Sequence, residues 1–282
     1  MKKKICMILI AVFVAVLGTS TYFIIDHHKE SNKQAALYDE LAELVDAATQ
    51  TDAATEPLER IPYSEEKMLL PELAELYQQN GDLVGWISIA DTNINYPVMQ
   101  SVNEPNFYLK HGFDKEYSDY GCPYVQEDCD VQEPSDNLVI YGHHMSNGSM
   151  FAHLEKFKSK DFWNEHRMIT FNILTDKQEY EIVAVFRTVV YTDSPEAFKF
   201  YRFIDAESAN EFDDFIAKSK ELSFYDTGVT AKYGDKLITL STCEYSRNNS
   251  RLVVVAKRIT EDGGADAAKT HAEKAAEGER PN

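Results

Sequence analysis

A cysteine and an arginine stand at the facing ends of two apolar, β-branched runs. The runs, Lys236 to Leu240 and Leu252 to Ile259, are typical of buried strands, and a polar segment joins them. Cys243 follows the first run, and Arg251 comes just before the second. We therefore expect a thiol nucleophile beside a permanently charged guanidinium, at one rim of a strand pair. A buried structural cysteine and a surface arginine are the alternative interpretation.

Two adjacent histidines follow a third apolar run. The segment Asn137–Met145, NLVIYGHHM, predicts a strand, a glycine, and then His143 and His144. A histidine just beyond one strand end can share a cleft with a cysteine just beyond another. In acyl transfer a thiolate attacks a carbonyl and an imidazolium protonates the leaving amine, while a nearby arginine can bind the oxyanion. The alternative interpretation makes both histidines ordinary turn residues.

Composition limits the class of protein. The 282 residues fit one ordinary domain with appendages, or two small domains, and the 44% hydrophobic content is enough for a substantial core. The net charge of −19 argues against a nucleic-acid partner, since phosphate binding needs a basic face. None of the four cysteines forms a CxxC pair, so no metal site is expected. Cys122 and Cys129 could form a disulfide or remain two free thiols.

The N-terminal residues have the pattern of a membrane anchor. Lys2 to Lys4 precede the uncharged run Ile5–Ile25, which as a helix would be about 32 Å long, close to the ~30 Å of a hydrocarbon core. The lysines predict a single-pass protein of the cell membrane, with residues 1–4 in the cytoplasm, residues 5–25 as a transmembrane signal-anchor, and the chain after Asp26 outside. A cleaved signal peptide, cut near Gly18–Ser20, is the alternative. The apolar run continues through Tyr22–Ile25, which favours the anchor.

The rest of the chain divides into a stalk, a globular domain and a tail. Residues 26–67 are polar and acidic, and a leucine stripe within them predicts a short amphipathic helix, followed by a flexible joint over Ala48–Glu56. The many short apolar runs predict a globular domain over residues 68–260, and this domain contains the candidate catalytic residues His143, Cys243 and Arg251. Residues 261–282 have alanine as their only apolar residue type, so we expect a disordered acidic tail.

The globular part combines many short strands with few helices. This favours a mainly β fold that is a closed or nearly closed barrel, because closure removes exposed strand edges. Helices are predicted from Pro71 to Asn80, over Met150–Phe157, and over Ala206–Leu222 with Asp205 as its N-cap. The further predicted strands are Val84–Ile89, Ile94–Gln100, Leu138–Tyr141, Met168–Leu174 and Tyr180–Val190.

Two motifs carry a resemblance to a known family. Thr239–Cys243, TLSTC, is similar to the TLxTC signature of sortases, the membrane-anchored cysteine transpeptidases of Gram-positive surfaces. Tyr141–Met145, YGHHM, with Met150-Phe151 just after it, resembles the histidine segment of class B sortases. Other features that fit this class are Trp86-Ile87, Asn95–Val98, Glu244 and the Ala206–Leu222 helix.

The resemblance covers about Leu73 to Ile259. It implies a closed sortase-type β-barrel of about eight strands, with N-terminal helices and a long helix between two late strands. One segment departs from the family pattern: Gly121–Asp128 replaces a more apolar strand, which leaves that edge of the barrel less certain.

The family's roles transfer residue by residue. Cys243 matches the nucleophile, His143 matches the general acid/base, and Arg251 matches the arginine that opens the strand after the cysteine loop. Arg247 is a competitor for the last role, but it lies in the middle of the loop. The resemblance also implies four residues that line the peptide groove, namely Asn95, Tyr141, Ser241 and Glu244.

The resemblance implies a two-step transpeptidation without a cofactor. The nucleophile cleaves a C-terminal sorting-signal peptide after Thr, forms a thioester, and passes the acyl group to an amine. The acceptor is a peptidoglycan precursor (lipid II) or another surface or pilin protein, so anchoring and pilus assembly stay open. The alternative from another class is a non-catalytic, membrane-tethered β-barrel that binds cell-wall peptide.

Overall fold

The computed structural model describes residues 2–51, 63–64, 67–190, 197–244 and 249–260. Within these residues we find no helix with the length and hydropathy needed to span a membrane. The strands are β1 (Leu83–Ser88), β2 (Asn95–Met99), β3 (Tyr124–Val125), β4 (Asn137–Tyr141), β5 (Met168–Ile173), β6 (Glu179–Val189), β7 (Leu237–Glu244) and β8 (Ser250–Arg258). The helices are α1 (Lys2–Thr51), α2 (Pro71–Gln79), α3 (Lys160–Glu165) and α4 (Ala209–Leu222), with 3-10 turns at Phe107–Leu109, Phe151–Lys158 and Phe200–Arg202.

The strands close into one barrel in the order β1-β2-β3-β4-β7-β8-β6-β5, and β5 pairs back with β1. The β2–β3 and β4–β7 pairs are parallel, and the other pairs are antiparallel. The predicted mainly β, closed barrel of eight strands is confirmed, and so are the N-terminal helices and the helix between two late strands, β6 and β7.

The centre of the barrel explains why the C-terminal run is continuously apolar. Leu252 to Ala256 of β8 are all fully buried, so both faces of this strand pack against protein. A strand that is covered on both faces has an unbroken β-branched run in its sequence, rather than alternating apolar and polar residues. One element that packs against β8 is the 3-10 turn at Phe151–Lys158, while α4 packs against the neighbouring strand β6.

The N-terminal helix is longer than the sequence pattern predicts. The expected short amphipathic helix and the start of the expected joint at Ala48–Glu56 lie on one helix, α1, which ends at Thr51. Residues 52–56, the rest of that joint, lie outside the described residues. Tyr38 and Leu41 of α1 are buried against the folded domain, and this packing holds the helix together where the local pattern alone is weak.

The second helix has the predicted bounds. Pro71 stands in the first turn of α2, where its missing N–H costs no hydrogen bond, and the helix ends before Asn80. Leu73 and Leu76 are fully buried on its inner face.

The long helix begins later than predicted, and its cap was wrongly assigned. Ser208 is the N-cap of α4, because its Oγ accepts a hydrogen bond from the backbone N–H of Glu211 at 3.3 Å. The carboxylate of Asp205, the predicted cap, instead accepts from the backbone N–H of Asp136 at 2.9 Å and from the Ser135 hydroxyl. The predicted helix at Met150–Phe157 is a 3-10 turn over Phe151–Lys158.

The segment that departs from the family pattern does complete the barrel. Tyr124 and Val125 form β3, which bridges β2 and β4 through a few backbone pairs. Cys122 and Cys129 flank this strand as free, buried thiols rather than as a disulfide. The Sγ atoms lie 3.5 Å from the carbonyls of Pro97 and Asn137, respectively. The barrel therefore closes here without a covalent link between these two cysteines.

Candidate active site

The β7–β8 pair places a thiol and a guanidinium side by side. Cys243 on β7 is in register with Arg251 on β8, and Arg251 is in register with Thr188 on β6. Side chains that are directly opposite in an antiparallel pair emerge from the same face of the sheet. Arg251 also donates from a guanidinium nitrogen to the carbonyl of Ser250 at 3.1 Å, which orders its position.

The parallel β4–β7 pair brings the histidine segment to the same edge. Tyr141 is in register with Ser241, and one residue later the backbone N–H of Gly142 donates to the Ser241 carbonyl at 3.1 Å. Because parallel strands run in the same direction, the residues after Tyr141 and after Ser241 lie beside each other. The predicted proximity of the histidines to Cys243 has its cause in this register.

Position 142 requires a glycine because the Phe151 ring lies very close to the backbone there. A Cβ at this position would lie 2.6 Å from ring atoms of Phe151, a separation that side chains do not adopt. The backbone N–H of Phe151 donates to the carbonyl of His143 at 2.8 Å, so the 3-10 turn that begins at Phe151 is tied to the histidine segment. Gly142 and Phe151 together therefore fix the path of the chain through His143.

His143 is held through one of its two ring nitrogens. Its Nε2 lies 2.7 Å from the carbonyl oxygen of Leu109, at the end of the Phe107–Leu109 turn. A carbonyl can only accept a hydrogen bond, so Nε2 carries a proton in this arrangement. Nδ1 is then the nitrogen that gains and loses a proton in acid/base chemistry.

His144 contacts the end of strand β7 rather than the Leu109 carbonyl. Its Nδ1 lies 3.0 Å from the backbone carbonyl oxygen of Cys243 and 4.0 Å from a carboxylate oxygen of Glu155. Through this contact with the backbone of Cys243, His144 supports the end of β7.

A cavity of about 290 Å³ contains the three residues predicted to be catalytic. It lies at the edge of the barrel where β4, β7 and β8 meet. Its volume is at the lower end of the range for sites that hold small ligands. The residues that line it include Leu109, Tyr141, His143, Ser241, Cys243 and Arg251.

Two predicted groove residues line this cavity. The Tyr141 ring packs against the Tyr124 ring with centroids 5.4 Å apart, and its hydroxyl lies 3.3 Å from the side-chain oxygen of Gln126. The Ser241 hydroxyl is buried and has no hydrogen-bond partner among the described residues. A buried hydroxyl without a partner is costly, so it is available to a bound polar group.

The other two predicted groove residues are placed differently. Asn95 lies outside this cavity and lines a second one, beside Tyr38 of α1, while its Oδ1 accepts from the indole N–H of Trp86 at 2.7 Å. The backbone of Glu244 continues β7 opposite Ser250. Arg247, the competitor of Arg251, lies outside the described residues.

Among Cys122, Cys129 and Cys243, only the Cys243 thiol is partly exposed. Burial raises the pKa of the Cys122 thiol well above its ordinary value, and it raises the pKa of Cys129 to about 12. The thiolate is the nucleophilic form of cysteine, so these two thiols are inert in the folded chain. Cys243 alone combines access to the cavity with a neighbouring cation.

Several cavity residues carry no signal in the sequence. Leu109 contacts His143 through its backbone carbonyl, a group that all residue types share, so its identity as leucine gives no indication of this contact. Tyr124 and Gln126 belong to the short β3 region, whose pattern is too brief to assign from the sequence. Their positions depend on the closure of the barrel.

The arrangement can support nucleophilic acyl transfer. A thiol, an imidazole with one fixed N–H, and a guanidinium line a single cavity. Groups of these three types can supply a nucleophile, an acid/base and an oxyanion donor, respectively.

Comparisons with known proteins agree with this chemistry. The family model for the sortase domain matches residues 87–259. Sortase B of Listeria monocytogenes is 35% identical over 193 residues, which cover 67% of this chain and 74% of that protein. The Staphylococcus aureus sortase B–substrate complex matches with a TM-score of 0.70 and 26% identity, over 83% of this chain and 99% of that one. A solved sortase B complexed with triglycine has a TM-score of 0.69 and 26% identity, over 82% of this chain and 99% of that one.

The chain belongs to the sortase family, whose members are cysteine transpeptidases that attach proteins to the cell wall. Its relatives by sequence and by structure are sortases B, and they place it in class B.

Proposed function

We propose that this class B sortase cleaves a C-terminal sorting-signal peptide after Thr and transfers the acyl part to an amine through a thioester on Cys243. The observation that carries the proposal is the register of Cys243 with Arg251 at the rim of a cavity that also contains His143. No cofactor is needed for these steps.

In the first step the sulfur of Cys243 attacks the Thr carbonyl carbon, and the carbonyl oxygen becomes an oxyanion. The guanidinium of Arg251 is in a position to stabilise this charge. The peptide C–N bond then breaks, and the imidazolium of His143 gives its Nδ1 proton to the leaving amine. The product is a thioester on Cys243 and a free C-terminal fragment.

In the second step an acceptor amine attacks the thioester carbonyl. His143 accepts the amine proton at Nδ1, a new amide bond forms, and the thiolate of Cys243 leaves. Nε2 keeps its hydrogen bond to the Leu109 carbonyl throughout, so the ring does not have to turn between the steps.

The relatives support the two substrates of this scheme. A similar sortase B has been solved with its substrate, and another with triglycine, a short peptide with a free amine. For this chain we propose a sorting-signal peptide as acyl donor. We propose an amine on a peptidoglycan precursor (lipid II) or on a pilin-like protein as acceptor.

The N-terminal run supports a location at the membrane. Large apolar side chains along residues 5–25 are exposed on α1, including Phe13 at 64% and Phe23 at 69%. Such a row is unfavourable in water and favourable in lipid. We propose that these residues anchor the chain, with its N-terminus in the cytoplasm and the barrel outside.

An amine-dependent transfer assay tests the function. Purified full-length chain is incubated with a set of synthetic peptides that carry Thr before the cleavage point, with or without triglycine, and products are identified by mass spectrometry. We expect cleavage after Thr and a ligated product only when triglycine is present. Binding of the peptides without cleavage, by wild type and by Cys243→Ala alike, would instead favour the non-catalytic wall-binding barrel.

A further inference from the structure

The C-terminal half of α1 packs against the barrel next to the catalytic cavity. Gln34, Tyr38 and Leu41 are only 1%, 4% and 3% exposed, and their spacing places them on one face of the helix. The Tyr38 ring meets the Tyr96 ring of β2 edge to face, with centroids 5.3 Å apart. This face of α1 is thus fixed to the catalytic domain.

The Tyr38 hydroxyl makes a buried hydrogen bond to a distant backbone group. It donates to the carbonyl of Gly121 at 2.7 Å, a contact between residues 83 positions apart. Tyr38 therefore holds the Gly121-Cys122 segment from outside the barrel.

This segment in turn packs directly on the turn that carries Leu109. Gly121 has a φ of +59°, and a Cβ there would lie 2.5 Å from the Tyr108 carbonyl oxygen and 2.9 Å from that of Leu109. The backbone N–H of Cys122 also donates to the Tyr108 carbonyl at 2.9 Å. A displacement of Gly121 would therefore displace the two carbonyls that it contacts.

The Leu109 carbonyl is the acceptor that orients His143. A second contact of α1 reaches the segment that follows the histidines, where the side-chain amide of Asn147 donates to the Ser31 hydroxyl of α1 at 3.0 Å. One helix thus contacts the segment that packs on the Leu109 turn and the segment that follows His143.

We propose that α1 is part of the active-site scaffold and that Tyr38 is a positioning residue for the His143 imidazole. The inference rests on the proposed acid/base function of His143. Tyr38 acts through Gly121 and the Leu109 carbonyl and does not touch substrate.

The test compares Tyr38→Phe with a matched control in the purified full-length chain. The control is Tyr225→Phe. The Tyr225 hydroxyl is partly buried and, like that of Tyr38, it donates to a backbone carbonyl, here the Phe157 carbonyl at 2.6 Å. We expect Tyr38→Phe to lower kcat about 3- to 10-fold with little change in KM, since a lost hydrogen bond loosens a positioned group. Tyr225→Phe should keep the wild-type kcat, even if both variants melt earlier.

A spectroscopic readout makes the test independent of turnover. In wild type, nitrogen NMR shifts of His143, assigned with His143→Ala, should show the neutral ring protonated at Nε2. Tyr38→Phe should shift this population toward the other tautomer and displace the pH profile of kcat, whereas Tyr225→Phe should change neither. Wild-type nitrogen shifts in Tyr38→Phe would overturn the proposal, whatever its kcat.

Two further outcomes are informative. If His143→Ala remains fully active, the proposed catalytic role fails, while the nitrogen shifts still decide whether Tyr38 acts on His143. If Tyr38→Phe does not fold, Ser31→Ala replaces it, because Ser31 lies at a partly exposed position. A displaced His143 signal in Ser31→Ala supports the scaffold role of α1, and an unchanged one overturns it.

Discussion

Cys243 and Arg251 are direct partners in the β7–β8 ladder, the penultimate residue of one strand facing the second residue of the next. The backbone pairing sets the guanidinium beside the thiol before any substrate arrives. Such preorganisation lets a charged donor act without reorganisation during the reaction.

Thiol chemistry should distinguish Cys243 from the buried cysteines. With the folded chain at pH 7 to 9, we expect iodoacetamide to modify Cys243 and to abolish transfer. Cys122 and Cys129 should react only after unfolding in guanidinium, because both are buried and burial raises both pKa values. Peptide mapping by mass spectrometry reads each cysteine separately. Modification of Cys129 in the folded chain as fast as Cys243 would contradict the assignment.

The adjacent histidines should differ strongly in their effect on turnover. His143→Ala should lose on the order of 10²–10⁴-fold in kcat, the usual range for a general acid/base. His144→Ala should lose much less, because His144 contacts the carbonyl of Cys243 rather than a reacting group. Steady-state kinetics with one sorting peptide gives both values, and the reverse ranking would exchange their roles.

Arg251 should not be replaceable by another cation. A donor aimed at the oxyanion contributes a factor of ~10²–10³ in kcat, and lysine lacks the planar fork of the guanidinium. Arg251→Lys should therefore fall close to Arg251→Ala in kcat/KM, with KM nearly unchanged and no recovery at higher pH. Arg258→Lys, at the far end of β8, is the control and should behave like wild type. Near-normal turnover of Arg251→Lys would favour a simple charge pair with the thiolate.

His166 should make stability depend on pH. Its Nδ1 lies 2.9 Å from the Phe162 carbonyl and its Nε2 lies 3.0 Å from the Asp91 carboxylate, and these contacts, the carbonyl first, raise its pKa. A raised folded-state pKa gives stabilisation that is complete below the unfolded value of about 6.5 and is lost as pH rises through the folded value. The melting temperature of His166→Gln should thus fall below that of wild type at pH 5 and approach it at pH 9.

His153 provides a control of opposite sign. Burial lowers its pKa, and its Nδ1 accepts from the backbone N–H of Asn93 at 2.9 Å, which requires a neutral nitrogen. A depressed pKa gives stabilisation that is present above the unfolded value and is lost as pH falls. His153→Gln should therefore cost more at pH 9 than at pH 5. The same pH trend in both variants would rule out this account of the two histidines.

The sequence predicts the parts of the fold that local patterns encode. The β-branched runs predict the bounds of β6, β7 and β8 to within a few residues, and Pro71 marks the start of α2. The short motifs around His143 and Cys243 identify the residues that the barrel then brings into one cavity. In these places residue type and spacing carry the information directly.

Other features depend on contacts between distant segments. The two residues of β3 are too few for any periodicity, and α1 extends to Thr51 because Tyr38 and Leu41 pack on the domain. Asn95 faces α1 rather than the Cys243 cavity, a placement that only the closed barrel determines. Leu109 orients His143 through its backbone carbonyl. Every residue type has this group, so the sequence does not reveal the contact.

The central claim is that the acyl group passes through Cys243, and trapping the intermediate tests it most directly. The full-length chain is mixed with a peptide that it cleaves, in the absence of an acceptor amine, and its intact mass is measured within seconds. We predict an adduct with the mass of the acyl fragment, mapped to Cys243, released by hydroxylamine and absent in Cys243→Ala. An adduct on another residue, or peptide cleavage by Cys243→Ala at the wild-type rate, would contradict the account.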